Sequence, residues 1–190
     1  IENLENKGFL VYLCDIKNED FAGMNGTVNG RPYIILNKNM NPQMMRLTIT
    51  HELAHLMFEW PDSMSEKELE NMANAISGAF LFPHIDIRRE LGVRRSAITN
   101  DMLDICTEYG ISMYMLVMRA NMSGVINDYT TKNFVVSANK AGWKRYEPPR
   151  AKEEECGLFH QLVYRAVTEN EITAQKGAEL LREPYEKVVK

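Results

Sequence analysis

Residues 41–59, NPQMMRLTITHELAHLMFE, decide the fold, because they predict one helix that carries two histidines and a glutamate. Asn41 is a good N-cap residue, and Pro42 suits the first helical position, where a missing N–H costs nothing. Pro61 cannot continue a helix, so we expect the helix to end near Glu59. Five residues give the helix an apolar side that needs a packing partner: Leu47, Ile49, Leu53, Leu56 and Met57.

The spacing of the two histidines points to a metal site. His51 and His55 are four residues apart and therefore share one face of the helix. Both imidazoles can then reach one ion at about 2.0–2.1 Å, the usual Zn–N distance. Glu52 lies one residue round the helix, where it can contact a water at the metal and act as a carboxylate base. This His-Glu-x-x-His pattern also occurs by chance, but polar groups in such an apolar helix must be solvated, paired or metal-bound. We therefore predict a Zn²⁺ site.

A catalytic zinc needs a third protein ligand and an open fourth position. Ser65 and Glu68 form a capping box that starts a second helix, which should end near Phe82, before Pro83. Glu70 begins a stripe of small and partly polar residues on this helix, which predicts close packing against another helix: Ala73, Asn74, Ser77, Gly78 and Leu81. Spacing alone leaves Glu70 as either a ligand or a solvated surface residue. The other acidic candidates nearby are Asp62, Glu66 and Glu68.

The remaining sequence predicts an α+β protein. Residues 8–14, 24–29 and 31–37 are strand-like, and Asn29-Gly30 is a strong hairpin signal. Pro32 should lie at the start of its strand or on a sheet edge. We expect a small N-terminal antiparallel β-sheet packed on a mostly helical domain, followed by a helical tail. Further helices are predicted at residues 86–91, 100–109, 112–122, 159–167 and 174–181.

Composition excludes several classes of protein. The formal net charge is −4, so no basic field points to nucleic acid as the main partner. No apolar run is long enough to span a bilayer, and no secretory signal pattern is present. The scattered Cys14, Cys106 and Cys156 suit reduced thiols in a cytoplasmic protein. The abrupt start at Ile1 suggests a piece of a longer polypeptide.

Three segments together resemble the ImmA/IrrE family of bacterial metallopeptidases. They are His51-Glu52-Leu53-Ala54-His55, then residues 70–74 (ENMAN), then residues 80–83 (FLFP). The family pattern is HELGH, then E-x-x-A-N-x-F-A, then L-L-M-P. Residues 46–50 are also similar to the family's lead-in, and residues 31–37 are similar to the strand ahead of its active-site helix. The resemblance runs from about residue 8 to residue 126. Departures from the pattern, such as Ala54 for glycine and Phe82 for methionine, change packing more than chemistry.

The resemblance implies a zincin-like domain in which His51, His55 and Glu70 bind zinc and Glu52 is the general base. It implies a cytoplasmic protease that cuts a helix-turn-helix repressor and so switches on genes. It also allows a helix-turn-helix domain before residue 1, which would be the chain's only route to DNA. We expect residues 1–138 to form the metallopeptidase domain. Residues 139–155 are rich in charge and proline, which predicts a linker, and residues 156–190 should form a helical tail.

Other features leave alternatives open. Residues 100–122 have helix–turn–helix spacing, but a hairpin packed behind the metal site is favoured because its second helix carries only Arg119. Arg88, Arg89, Arg94 and Arg95 could grip an acidic partner, although a solvated surface is the simpler interpretation. His84 could reach the site as a transition-state donor, and a capping or surface role is the alternative for it; His160 is the remaining histidine.

The leading functional hypothesis is a zinc endopeptidase, and the alternative is a non-cleaving zinc-containing sensor module of a DNA-binding regulator. Glu52 favours the enzyme, because a sensor would not need it. Such an enzyme could bind its substrate as an extra strand on a sheet edge. Either residues 33–37 form that edge, or they are central in the sheet and residues 24–29 form it.

Overall fold

The computed structural model of the chain describes residues 1–18 and 20–189. It is an α+β protein, as predicted, with a three-stranded sheet near the N-terminus followed by a helical body. The strands are β1 (Leu10–Cys14), β2 (Gly23–Val28) and β3 (Arg31–Asn37). The helices are α1 (Glu2–Glu5), α2 (Pro42–Met57), α3 (Glu66–Leu81), α4 (His84–Leu91), α5 (Asp101–Tyr109), α6 (Met113–Met122), α7 (Asp128–Lys140), α8 (Trp143–Tyr146), α9 (Leu158–Thr168), α10 (Ala174–Leu181) and α11 (Tyr185–Val188).

The sheet has the order β1-β3-β2, and it is mixed. Strands β2 and β3 are antiparallel, and their turn residues Asn29 and Gly30 have φ angles of 49° and 74°, which suit a two-residue hairpin. Strand β1 runs parallel to β3, so the prediction of an antiparallel sheet is wrong for this pair. The reason is that the chain crosses the sheet between β1 and β2. Asn37 fixes this crossing by donating from Nδ2 to the carbonyls of Ile16 and Phe21.

Strand β3 is central, and β2 is an edge strand. The expectation that residues 33–37 form the edge is therefore wrong, and the alternative that placed the edge at residues 24–29 is correct. Pro32 does lie at the start of its strand. The pairing of β1 with β3 begins at Tyr33, so the missing N–H of Pro32 interrupts no ladder on that side.

Helix α2 packs on one face of this sheet. Its Met45 and Ile49 lie in one buried cluster with Val11, Ile34 and Leu36 of the strands. The helix starts as predicted, since Asn41 Oδ1 accepts a hydrogen bond of 2.8 Å from the N–H of Met44. It ends at Met57, two residues earlier than expected. The capping box predicted for α3 is also present.

Helices α4 to α6 form a second core. The helices expected at residues 86–91, 100–109 and 112–122 are all present, whereas α7 was not predicted. Within α6, Leu116, Val117 and Ala120 are fully buried. This helix therefore belongs to the core and is not an exposed recognition helix, which agrees with the packed-hairpin interpretation of residues 100–122.

Residues 147–150 pack between α6 and the start of α2. The Glu147 side chain is only 4% exposed and accepts hydrogen bonds from the N–H groups of Met113 (2.6 Å) and Tyr114 (3.4 Å). Gln43 Nε2 donates to the Pro148 carbonyl at 2.8 Å, and Gln43 Oε1 accepts from the Arg150 N–H at 3.1 Å. The composition that predicted a linker gave no sign of these contacts. The domain boundaries at residues 138 and 155 stay a prediction.

The two helices expected in the C-terminal tail are present as α9 and α10, and they share a small apolar cluster with α11. Helix α9 lies against β1, where the rings of Phe159 and Tyr12 are 5.3 Å apart between centroids. The Glu5 carboxylate accepts from the N–H groups of Gly157 and Leu158 at the start of α9. Within the described part of the chain, no helix combines the length and apolar character needed to cross a bilayer.

The contacts of Glu147 generate a stability prediction. Replacing Glu147 with alanine leaves two amide groups at the start of α6 without their acceptor, so the free energy of unfolding should fall by about 1–3 kcal/mol. Urea denaturation followed by circular dichroism measures this difference. The exposed Glu153 provides a matched control, and Glu153→Ala should change stability by less than about 0.5 kcal/mol. Equal stability of the two variants would mean that residues 147–150 behave as a free linker.

Candidate metal centre

Helices α2 and α3 bring His51, His55 and Glu70 together. The two histidine Nε2 atoms are 3.0 Å apart, His51 Nε2 is 3.2 Å from Glu70 Oε2, and His55 Nε2 is 3.4 Å from Glu70 Oε1. One ligand atom from each residue lies within 4.8 Å of the others. Ligands about 2.0–2.1 Å from a tetrahedral zinc ion stand roughly 3.3 Å apart. The three side chains therefore fit a divalent metal with one position left open.

The structure selects one acidic residue from the candidates on the second helix. Glu70 joins the histidines, whereas Glu68 bonds to the N–H and hydroxyl of Ser65 in the capping box. Among the described residues, neither Asp62 nor Glu66 belongs to the group. Ala73 and Ser77 of the predicted small-residue stripe are fully buried, as close packing of α3 requires.

Asn74 orients the first histidine. Its side-chain Oδ1 lies 3.1 Å from His51 Nδ1. An amide oxygen only accepts hydrogen bonds, so this contact fits the tautomer with the proton on Nδ1, which leaves the Nε2 lone pair for a metal. Sequence reasoning placed Asn74 on the packing stripe but missed this contact. The available signal was its position four residues after Glu70, on the same face of α3.

Glu52 lies on a different side of α2 and is directed toward the sheet. It is 8% exposed, and its Oε2 accepts a hydrogen bond of 2.7 Å from Asn25 Nδ2 on strand β2. The described residues supply no other hydrogen bond to this carboxylate. Asn25 was not identified from the sequence, because the local pattern does not say which strand faces Glu52.

An apolar surface borders the histidines. The Trp60 ring lies 5.9 Å from the His55 ring, and the Phe58 ring lies 6.2 Å from that of Trp60. Met57 and Phe58 are 63% and 51% exposed, which is unusual for such large apolar side chains. This surface, formed by Met57, Phe58 and Trp60, can contact an apolar group held at the metal site.

Other candidate residues are engaged elsewhere. His84 begins α4, and its Nδ1 lies 3.0 Å from Ser123 Oγ, which fits the surface or capping role. Arg89 forms ion pairs with Asp86 and Glu90, and Arg95 pairs with Asp101. These contacts neutralise part of the basic cluster. His160 is exposed on α9.

The three cysteines are free thiols, as expected. Cys106 and Cys156 are poor metal ligands. Burial raises the pKa of the Cys106 and Cys156 thiols to about 12, so both stay protonated near neutral pH.

A cavity of about 320 Å³ lies among α5, α6 and α7 and is lined by residues such as Leu103, Met113 and Phe134. His51, His55 and Glu70 do not line this cavity, so it is separate from the candidate metal centre.

The domain is metallopeptidase-like. It has a helix with two histidines four residues apart, a glutamate on the next helix and a sheet beside them. A family model described as the IrrE N-terminal-like domain, peptidase family M78, matches residues 4–121. This match covers more than half of the chain, so the protein belongs to that family, and the ImmA/IrrE resemblance is confirmed. Membership implies peptidase activity and a metal. A comparison with curated proteins gave no match.

The geometry predicts how metal affinity responds to mutation. Glu70→Ala removes one of the three side chains that could hold a metal, so the tight binding of one Zn²⁺ per chain should be lost. Asn74→Ala keeps all ligands but frees the His51 ring, so its affinity should fall by roughly 10–100-fold. Isothermal titration of the metal-free protein with Zn²⁺ measures both effects.

Asn71 is the matched control, since it is an exposed asparagine one turn away on the same helix. Asn71→Ala should bind Zn²⁺ like the parent. Unchanged affinity in Glu70→Ala would show that another residue completes the site.

Proposed function

We propose that the protein is a zinc-dependent endopeptidase that hydrolyses a peptide bond in a protein partner. The observation that carries the proposal is the convergence of His51, His55 and Glu70 on one point. Glu52, adjacent to His51 on the same helix, supplies the carboxylate that peptide hydrolysis needs. A sensor that only binds metal has no use for a buried carboxylate held by a hydrogen bond.

Each residue of the site has a separate role in the proposed peptide hydrolysis. His51, His55 and Glu70 would hold zinc, which when bound polarises a carbonyl and lowers the pKa of water. Glu52 accepts a proton from the attacking water and then delivers it to the nitrogen of the departing amine. Asn74 keeps the His51 ring in the required tautomer and orientation.

The free edge of β2 is the proposed binding site for the substrate backbone. The Asn37 N–H donates to the Ala22 carbonyl just before β2, which sets the alternation of hydrogen bonds along this antiparallel pair. The backbone groups of Gly23, Asn25 and Thr27 then point away from β3. An extended peptide can pair with them as a fourth strand, next to the helix that carries the histidines. The surface formed by Met57, Phe58 and Trp60 would accept an apolar side chain.

The substrate we propose is a helix-turn-helix repressor, cleaved in the cytoplasm to derepress genes. The support is the resemblance to the ImmA/IrrE family. Contact with DNA would need a separate domain, since the net charge of −4 offers no attractive field for nucleic acid. Incubating the zinc-loaded protein with candidate repressors, with and without a chelator, tests this proposal. Failure to cut any of them, with zinc bound, would refute the proposed function.

Glu52→Gln tests the catalytic role. The amide keeps the shape of the side chain but cannot accept the proton of the attacking water, so cleavage should slow by at least about 10²–10⁴-fold. Zinc content, measured by atomic absorption, should match that of the parent. A variant that cuts at the parental rate would exclude Glu52 as the base.

Thr27→Pro tests the edge of β2. Proline removes one outward N–H and blocks the edge, but it breaks no hydrogen bond to β3. The KM for a peptide substrate should rise about tenfold or more, because a substrate strand loses a backbone partner. Thr27→Ala, which keeps the N–H, is the control and should retain the parental KM. Equal KM values for both variants would place the substrate elsewhere.

A further inference from the structure

Strand β2 and helix α2 are in unusually close contact at Gly23. A Cβ added to this glycine would lie 2.9 Å from Thr48 Cγ2 and 3.1 Å from the Ile35 carbonyl oxygen. Real Cβ atoms essentially never come within 3.0 Å of another atom, so the contact with Thr48 requires glycine for β2 to lie this near to α2. The strand is therefore held at a distance that a larger residue would increase.

The spacing of the two elements then brings a second pair of residues together. Two residues along a strand cover about 6.6–6.8 Å, and four residues along a helix cover about 6.0 Å. Gly23 and Asn25 share one face of β2, as Thr48 and Glu52 share one face of α2. Contact of Gly23 with Thr48 thus brings Asn25 to Glu52, where the 2.7 Å hydrogen bond forms.

This hydrogen bond restricts the Glu52 side chain. A hydrogen bond from an amide N–H to a charged carboxylate is stronger than one between neutral groups. It holds Oε2, while Oε1 has no hydrogen-bond partner among the residues that the structure describes. One oxygen is therefore fixed by the sheet, and the other is left to accept a proton.

We propose that Asn25 is a positioning residue that orients the Glu52 carboxylate for general base catalysis. The proposal rests on the proposed function and deepens it. The backbone of Asn25 faces the free edge where the substrate strand would pair, and its side chain holds the base. One residue of β2 thereby fixes the position of the substrate backbone relative to the Glu52 carboxylate.

Two variants test the proposal with kinetics on a cleaved substrate. Asn25→Ala removes the amide, and Asn25→Asp keeps its shape but replaces the donor with a repelling carboxylate. Both should lower kcat by roughly 10–100-fold, since small misplacement of a catalytic group is costly. Zinc content should match that of the parent, and both variants should stay folded, with a modestly lower Tm because the buried Glu52 carboxylate loses its donor. Because Asn25→Asp preserves the size of the side chain, it keeps the test valid if Asn25→Ala disturbs the strand.

Asn39 offers a matched control. Its Nδ2 donates to Asp15 Oδ1 at 2.9 Å, which is the same type of hydrogen bond, at the exposed end of the sheet. Asn39→Ala should therefore leave kcat unchanged. A loss of kcat equal to that of Asn25→Ala would show that any such bond matters to the sheet, and would overturn the specific role of Asn25.

A double-mutant cycle separates positioning from structural support. If Asn25 acts through Glu52, then Asn25→Ala should cost nothing further in a Glu52→Gln background. The same loss in both backgrounds, or a parental kcat in Asn25→Ala and Asn25→Asp, would overturn the proposal and leave the proposed function intact. A zinc-loaded parent that cuts no substrate would refute both.

Discussion

The whole arrangement depends on the i, i+4 periodicity of helix α2. Residues 45 and 49 face the apolar side of the sheet, residues 48 and 52 face the edge strand, and residues 51 and 55 face α3. One helix therefore has three neighbours, each contacted by residues four positions apart. Apolar packing on the first side holds the helix in place, and the other two sides carry the two histidines that could hold a metal and the carboxylate proposed as the base.

Local rules predicted the parts of this helix that depend only on nearby residues. Asn41 and Pro42 mark its start, Ser65 and Glu68 mark the start of α3, and the structure contains both caps. His51 and His55 share a face for the same geometric reason. Glu70 needed the family resemblance, because spacing along α3 cannot say which helix that face meets. The structure places it beside the histidines.

Helix α7 aside, the main missed features depend on pairs of residues far apart in sequence. Parallel pairing of β1 with β3 follows from a crossing loop that Asn37 fixes, and no period in the sequence encodes that crossing. Asn25 and Glu52 are 27 residues apart, and Glu147 and Met113 are 34 apart. Each of these contacts is a hydrogen bond made by a polar side chain, which hydrophobic patterning does not detect. Gln43, at the start of α2, also bonds the Pro148 carbonyl and the Arg150 N–H, so that helix is held from outside the sheet as well.

Strand β2 shows why local propensity and function disagree at this site. Its sequence, GMNGTV, contains two glycines and an asparagine, all unfavourable in strands. At each glycine, a side chain would clash with a neighbour. A Cβ at residue 23 would meet Thr48, and one at residue 26 would lie 2.5 Å from the Tyr33 hydroxyl. Valine or isoleucine at residue 23 would be favoured by strand propensity, but its side chain would move the strand away from α2, and Asn25 could then not reach Glu52. The low strand propensity of β2 is thus the physical condition for placing its edge close to Glu52. The antiparallel ladder between β2 and β3, which runs the whole length of β2, offsets this low propensity.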